Sequence, residues 1–138
     1  MAYAELHCVS NFTFLRGASH PQELVRTASA LGYSALAITD ECSLAGVVKA
    51  HVAAQDYGLQ LIVGSEFRLE GQRLIILVSN RQSYAELSAL ITTARRRSSK
   101  GEYQLKWTDL SGNLPNSLLI WLPRGDLEPD HEVGERLS

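Results

Sequence analysis

Three ionisable residues, His7, Asp40 and Glu66, stand where short apolar runs give way to polar segments. One imidazole and two carboxylates are good donors for a divalent ion, and zinc, manganese and iron all accept nitrogen and oxygen ligands. If the apolar runs are strands of one parallel sheet, the three groups meet at its C-terminal edge, where the loops of α/β folds converge and active sites collect. A plainer reading stands beside this one. Asp40 would cap a helix, Glu66 would be a half-exposed polar residue, and His7 would be a hydrogen-bonded strand end.

The elements that must position these groups follow from periodicity. Tyr3 to His7 reads as a short strand, residues 10–19 as a loop, and His20-Pro21 as a helix start, since proline suits a first helical turn. Leu24, Val25, Ala28 and Leu31 recur at helical spacing, and Gly32 supplies the stop. Ser34 to Thr39 is a buried strand ending at Asp40. A second helix is expected from about Ser43 to Tyr57, with Leu44, Val47, Val48 and Val52 as its apolar face. Leu59 to Val63 is a third strand ending at Gly64-Ser65-Glu66; Phe67-Arg68-Leu69 continues it into a turn at Glu70-Gly71-Gln72, and Arg73 to Val78 returns as a hairpin. A helix from about Gln82 to Arg96 turns Tyr84, Leu87, Leu90 and Ile91 to the core, and Ser117 to Leu122 is a last strand stopped by Pro123. The tail from Arg124 to Ser138 is acidic and polar, with no closing signal. Strands alternating with helices give an α/β class.

The bulk numbers exclude several classes. A chain of 138 residues fits one domain, and 45% hydrophobic with 20% charged residues is an ordinary soluble composition. A formal charge of −2 argues against a stand-alone nucleic-acid-binding module, which usually carries a Lys/Arg excess. Met1 to Glu5 has no basic, apolar leader character and no run is long enough to span a bilayer, so no membrane association and a cytoplasmic location are expected. Cys8 and Cys42 lack metal-type or redox-type spacing and read as free thiols. His20 reads as a cap or surface residue, His51 as packed near the apolar stripe of the second helix, and His131 as part of the polar tail; Trp107 and Trp121 read as packing residues. Arg95, Arg96, Arg97 and Lys100 could touch a DNA backbone, although basic residues at a helix C-terminus are also expected from its dipole.

Leu6-His7-Cys8-Val9-Ser10, followed by Gly17-Ala18-Ser19 and a helix, resembles the opening motif of the polymerase and histidinol phosphatase (PHP) domain, where His-x-His-Ser and a later Asp-Gly pair are usual. Thr39-Asp40-Glu41-Cys42-Ser43-Leu44-Ala45-Gly46 resembles its second motif, Thr-Asp-His with a following Leu-x-Gly, and Gly64-Ser65-Glu66 resembles its Gly-x-Glu. Within that family, the first two segments are most similar to bacterial error-prone polymerases of the C family, related to the DNA polymerase III alpha subunit. The resemblance implies a distorted (β/α)7 barrel with up to three metals at the strand C-termini. The later metal motifs of that barrel are missing, so residues 1–138 are expected to be its N-terminal part, truncated and without the polymerase core, with an open sheet edge that favours self-association. For a longer parent protein it implies primer extension from deoxynucleoside triphosphates with magnesium. Implied partners are DNA, the other polymerase domains and mutagenesis accessory proteins; implied roles are DNA repair, damage-induced mutagenesis and translesion synthesis.

The departures from the motif matter as much. A His-x-His pair puts both imidazoles on one face of a strand, and here the second position is Val9, while Cys8 points the other way. Arg16 stands where the family often has a carboxylate, and a guanidinium repels a metal while favouring phosphate or carboxylate. Glu41 stands where active members have histidine. A vestigial or partial metal site of His7, Asp40, Glu41 and Glu66, taking zinc or manganese if any ion, is therefore expected. Arg16 would either replace the metal charge by pairing with Asp40, Glu41 or Glu66, or lie solvated on its loop. Three functions compete: a catalytically degenerate structural and interaction module with no catalytic residue, which is the favoured one; a metal-dependent phosphoesterase or proofreading 3′–5′ exonuclease; and a nucleic-acid contact through Arg95 to Lys100.

Overall fold

A computed structural model describes residues 2–125 and 127–137. Met1 and Ser138, the outer ends of the leader and tail readings, lie outside the described residues, as does Asp126. Among the described residues, five strands form one sheet in sequential order: β1 (Ala4–Cys8), β2 (Ala35–Ile38), β3 (Gln60–Leu69), β4 (Gln72–Val78) and β5 (Ser117–Leu122). The first three are parallel, and β4 and β5 are added antiparallel. The expected mixed α/β order is the observed one. Among the described residues, no helix is long and apolar enough to cross a membrane.

Two helices cover the parallel half. Helix α1 (Pro21–Ala30) begins with the proline in its first turn and buries Pro21, Val25 and Ala28. Helix α2 (Val47–Tyr57) ends at Gly58, whose φ of 66° is the left-handed stop that glycine adopts without strain. The apolar face expected of α2 is corrected by the structure. Val48 is 72% and Val52 53% exposed, and the buried stripe is Ala50, Ala53 and Ala54. Small side chains let α2 lie close on α1 and on Leu36 and Ile38 of β2, so packing distance outweighs side-chain hydrophobicity here. His51, expected to be packed, is exposed for the same reason.

Helix α3 (Arg81–Arg96) covers the antiparallel half. Asn80 caps it, accepting a hydrogen bond from the Ser83 amide at 2.9 Å. Leu87, Leu90 and Ala94 pack on Phe67, Leu69, Leu74 and Ile76 of the β3–β4 hairpin, whereas Tyr84, expected inward, is 41% exposed. Burying each such large apolar side chain stabilises by roughly 1.5–3 kcal/mol. Trp107 and Trp121 pack against this cluster. Among the described residues, two further helices follow, the single-turn α4 (Trp107–Leu110) and α5 (Leu127–Leu137), the latter within the tail that the sequence left without structure. The opposite sheet face carries Ala37, Ile75 and Leu77, and strand alternation puts Glu66, Arg68 and Arg73 on that face too.

Candidate functional site

Strand β3 runs unbroken through Glu66 to Leu69, so Glu66 is not a strand end as expected. It lies past the last residue that β3 pairs with β2, where only an isolated bridge to Glu41 continues the parallel ladder. This gap at the end of β2 is where His7, Arg16, Glu41 and Glu66 meet. Arg16 places both terminal nitrogens on the Glu66 carboxylate, each at 3.1 Å, and shares one of them with Glu41 at 2.9 Å. Arg73 adds its Nε to Glu66 at 2.9 Å, and His7 Nε2 lies 2.9 Å from the same carboxylate. Arg68 approaches Glu41 through Nε at 3.2 Å, and the Tyr103 hydroxyl donates to Glu41 at 2.8 Å. The result is a ladder of alternating charge: Arg68, Glu41, Arg16, Glu66, Arg73.

Glu66 is fully buried, and burial alone would raise its pKa. The hydrogen bonds from His7, Arg73 and Arg16 outweigh that effect and hold its carboxyl down at about 2. Tyr103 moves the opposite way: burial and its bond to the Glu41 carboxylate raise its phenol above the ordinary range. Burial likewise pushes the thiols of Cys8 and Cys42 up to about 11, so both are protonated and poor nucleophiles or ligands near neutral pH.

Asp40 is brought to the same gap but does not join the ladder. Its two oxygens accept from the Ser10 amide at 2.7 Å, the Ser10 hydroxyl at 2.7 Å and the Thr13 hydroxyl at 2.6 Å. It therefore pins the 10–16 loop, and neither caps α2 nor pairs with Arg16. Gly17 closes this loop by close approach: a Cβ there would lie 2.0 Å from the Ser10 carbonyl oxygen. Gly46, just before α2, similarly leaves room for Asp40 and Phe12.

The basic run divides. Arg95 turns inward and donates to the carbonyls of Glu41, Cys42 and Glu102, which ties the Glu41 segment to the chain after α3. Arg97 is paired with Asp109, and Arg96 and Lys100 are exposed. Reading the sequence missed Arg68, Arg73, Tyr103, Ser10 and Thr13. One signal was present: a two-residue turn at Glu70-Gly71 puts Arg68 opposite Arg73, and both turn residues have the positive φ, 48° and 79°, of the favoured hairpin type.

As arranged, these donors do not fit a divalent ion. The lone pairs of Glu66 that would face a metal are occupied by guanidinium groups. An ion about 4 Å from one of them would meet repulsion on the order of 8 kcal/mol at an effective dielectric constant of about 20. Among the described residues, no group of three or more His, Cys, Asp or Glu is placed to hold a metal.

Comparison with known proteins adds an independent line. The PHP domain family matches residues 5–120. An error-prone DNA polymerase of Dechloromonas aromatica is 60% identical over 98% of this chain and 14% of the relative, and one of Methylococcus capsulatus is 54% identical over 99% and 13%. The chain thus spans about one-seventh of the length of the curated relatives it matches. Among solved structures, a putative metal-dependent phosphoesterase from Bifidobacterium adolescentis superposes with a TM-score of 0.58 at 24% identity, covering 69% of this chain and 34% of that one. An amidohydrolase from Chromobacterium violaceum, with bound sulfate and no metal, gives 0.56 at 24% identity over 67% and 33%.

Proposed function

The chain belongs to the PHP domain family, and from that premise we propose that it is the N-terminal part of an error-prone DNA polymerase, in which this domain serves as an ion-paired structural module. The observation that supports this reading is the two-nitrogen contact of Arg16 with Glu66, reinforced by Arg73, where a hydrolase would need open carboxylate oxygens. A guanidinium supplies fixed positive charge and planar hydrogen bonds, so it can stabilise the rim that a metal would otherwise organise. It offers no Lewis-acid site and no activated water.

For the whole protein, the proposed activity is primer extension from deoxynucleoside triphosphates with magnesium, in DNA repair and damage-induced translesion synthesis. No residue of this chain is assigned to that reaction. Proposed contacts of the module are the other domains of the polymerase and mutagenesis accessory proteins. The competing reading is a zinc- or manganese-dependent phosphoesterase or 3′–5′ exonuclease, favoured by His7, Asp40 and Glu66 standing at one rim.

Metal analysis after dialysis against zinc and manganese, with phosphoesterase and exonuclease assays on the same protein, tests the choice. The expected outcome is less than one bound ion per chain and no hydrolysis above the blank. Stoichiometric metal, together with hydrolysis abolished by His7→Ala, would establish the competing reading instead.

A further inference from the structure

The sheet ends in two edges of different chemistry. Along β1, the Glu5 carboxylate accepts a hydrogen bond from the His7 amide at 3.1 Å and another from the Tyr3 hydroxyl at 2.9 Å. A backbone donor is thereby occupied and a negative charge stands on the edge, which protects it against strand addition. Strand β5 has neither device. From Ser117 to Leu122 it carries no charged side chain, and Leu118 is 61% and Leu119 38% exposed.

The hairpin decides which β5 groups face outward. Its two-residue turn makes Leu69 and Gln72 a hydrogen-bonded pair, and bonded pairs then alternate along an antiparallel ladder. On β4, the backbone groups of Gln72, Leu74, Ile76 and Val78 therefore point to β3, and those of Arg73, Ile75 and Leu77 point to β5. Their β5 partners are Leu122, Ile120 and Leu118, so Ser117, Leu119 and Trp121 turn their amides and carbonyls to the free edge. In keeping with this parity, the Ser117 amide donates to the Leu114 carbonyl at 3.2 Å. Among the described residues, no backbone bond outside the sheet takes up the amide of Leu119 or Trp121.

We propose that two copies of this chain associate through β5, paired antiparallel about a two-fold axis at Leu119. Outward groups must oppose outward groups, and placing Leu119 opposite Leu119 pairs the whole run 117–121, Ser117 with Trp121 and Leu118 with Ile120. Each Leu119 amide donates to the carbonyl of its counterpart, and each Trp121 amide to the carbonyl of the opposite Ser117, with the Ser117–Leu114 bond intact. Side-chain alternation puts Leu118 on the concave face with Ile120 and Leu122. Leu119 lies on the helix-covered face, beside a groove of about 500 Å³ lined by Trp107, Leu110 and Leu137. Pairing covers both exposed leucines and continues both apolar faces across the axis. No charged residue opposes another in this register, as a strand that pairs with itself requires. Arg136, which also lines the groove, is held over the Trp107 ring and 3.7 Å from Glu70. Two such edges bury on the order of 1,000 Å² in total, just under the range of stable complexes, so the dimer is reversible, with a dissociation constant of about 10–100 μM. The inference rests on this edge alone and does not depend on the ion pairs of the rim.

Sedimentation velocity of the 138-residue chain, from about 2 to about 300 μM, tests it. The weight-average mass should rise from 15.2 kDa towards twice that value. Leu119→Lys sets two cations opposite each other at the axis and removes an apolar contact, and should weaken association roughly tenfold. Leu6→Lys, on the other edge, should sediment like the parent. For the register, Leu119→Cys should crosslink to a second copy under oxidised glutathione, because opposed Cα atoms about 5.5 Å apart are within disulfide reach. Neither Leu6→Cys nor the parent, whose Cys42 is buried and Cys8 half-buried, should do so. Three results would each overturn the proposal: monomer mass throughout, Leu119→Lys associating like the parent while circular dichroism shows both folded, or loss of the dimer in Leu6→Lys alone. Should Leu119→Lys fail to fold, the crosslink decides, since a dimeric chain whose Leu119→Cys variant does not crosslink is paired elsewhere and the proposal falls.

Discussion

Glu66 and Asp40 stand at the same rim and are equally removed from water, yet the protein satisfies them by opposite means. Glu66 is held by charge: two arginines and a histidine, contributed by the 10–16 loop, β4 and β1, converge on it. Asp40 is held by neutral donors, two hydroxyls and an amide, all from the one loop between β1 and α1. The first carboxylate therefore joins distant strands through ionic bonds. The second fixes the shape of a local segment. Burial by itself says little about what a carboxylate does; the identity and origin of its donors decide it.

The sharpest way to break this contrast is Glu66→Gln. Removing one partner of a buried ionic network costs about 3–5 kcal/mol, and because Arg16 and Arg73 keep some access to water the loss should fall near 3 kcal/mol in urea unfolding. A variant within about 0.5 kcal/mol of the parent would show that the ladder contributes little. Acid should reproduce part of the effect without mutation. The Glu66 pKa is lowered by folding, from an ordinary 4.5 to about 2, so its contribution is complete above about pH 4.5 and is lost as pH falls through 2. By linkage this is on the order of 3 kcal/mol. The Glu66→Gln chain should lack that component, and an unchanged acid profile in the variant would assign the acid sensitivity elsewhere. The smallest effect is expected for Asp40→Asn, about 1–3 kcal/mol, because an amide oxygen still accepts while its NH2 faces donors. Hydrogen exchange should rise in residues 10–17 and stay unchanged in β3 and β4. Protection lost equally from both would erase the distinction between a local staple and a long-range tie.

Much of this architecture is legible in the sequence. The helices α1 and α3 and the strands β1, β2, β4 and β5 fall within a residue or two of where periodicity, Pro21, Gly32 and Pro123 put them. His7 and Asp40 do stand at the ends of β1 and β2, whereas Glu66 reaches the same rim from inside β3, just past the last residue paired with β2. Two kinds of feature stayed hidden. The buried side of α2 follows its alanines, because how close α1 can approach is a property of the pair of helices. Arg95 reads as part of a basic surface run, but the chain after α3 folds back to give it the Glu102 carbonyl as a partner.

The sequence by itself determined the alternation of strands and helices, the family, and the presence of a fixed cation at position 16. Those follow from the order of side chains along the chain, which local sterics and hydrophobic periodicity translate directly into elements. Only the tertiary structure decided which carboxylate that cation would meet. Arg16 lies 25 residues from Glu41 and 50 from Glu66, and such pairs form only once packing brings three strands and a loop to one edge. Whether a charge at that edge is neutralised or left over depends on distances that no spacing along the chain encodes.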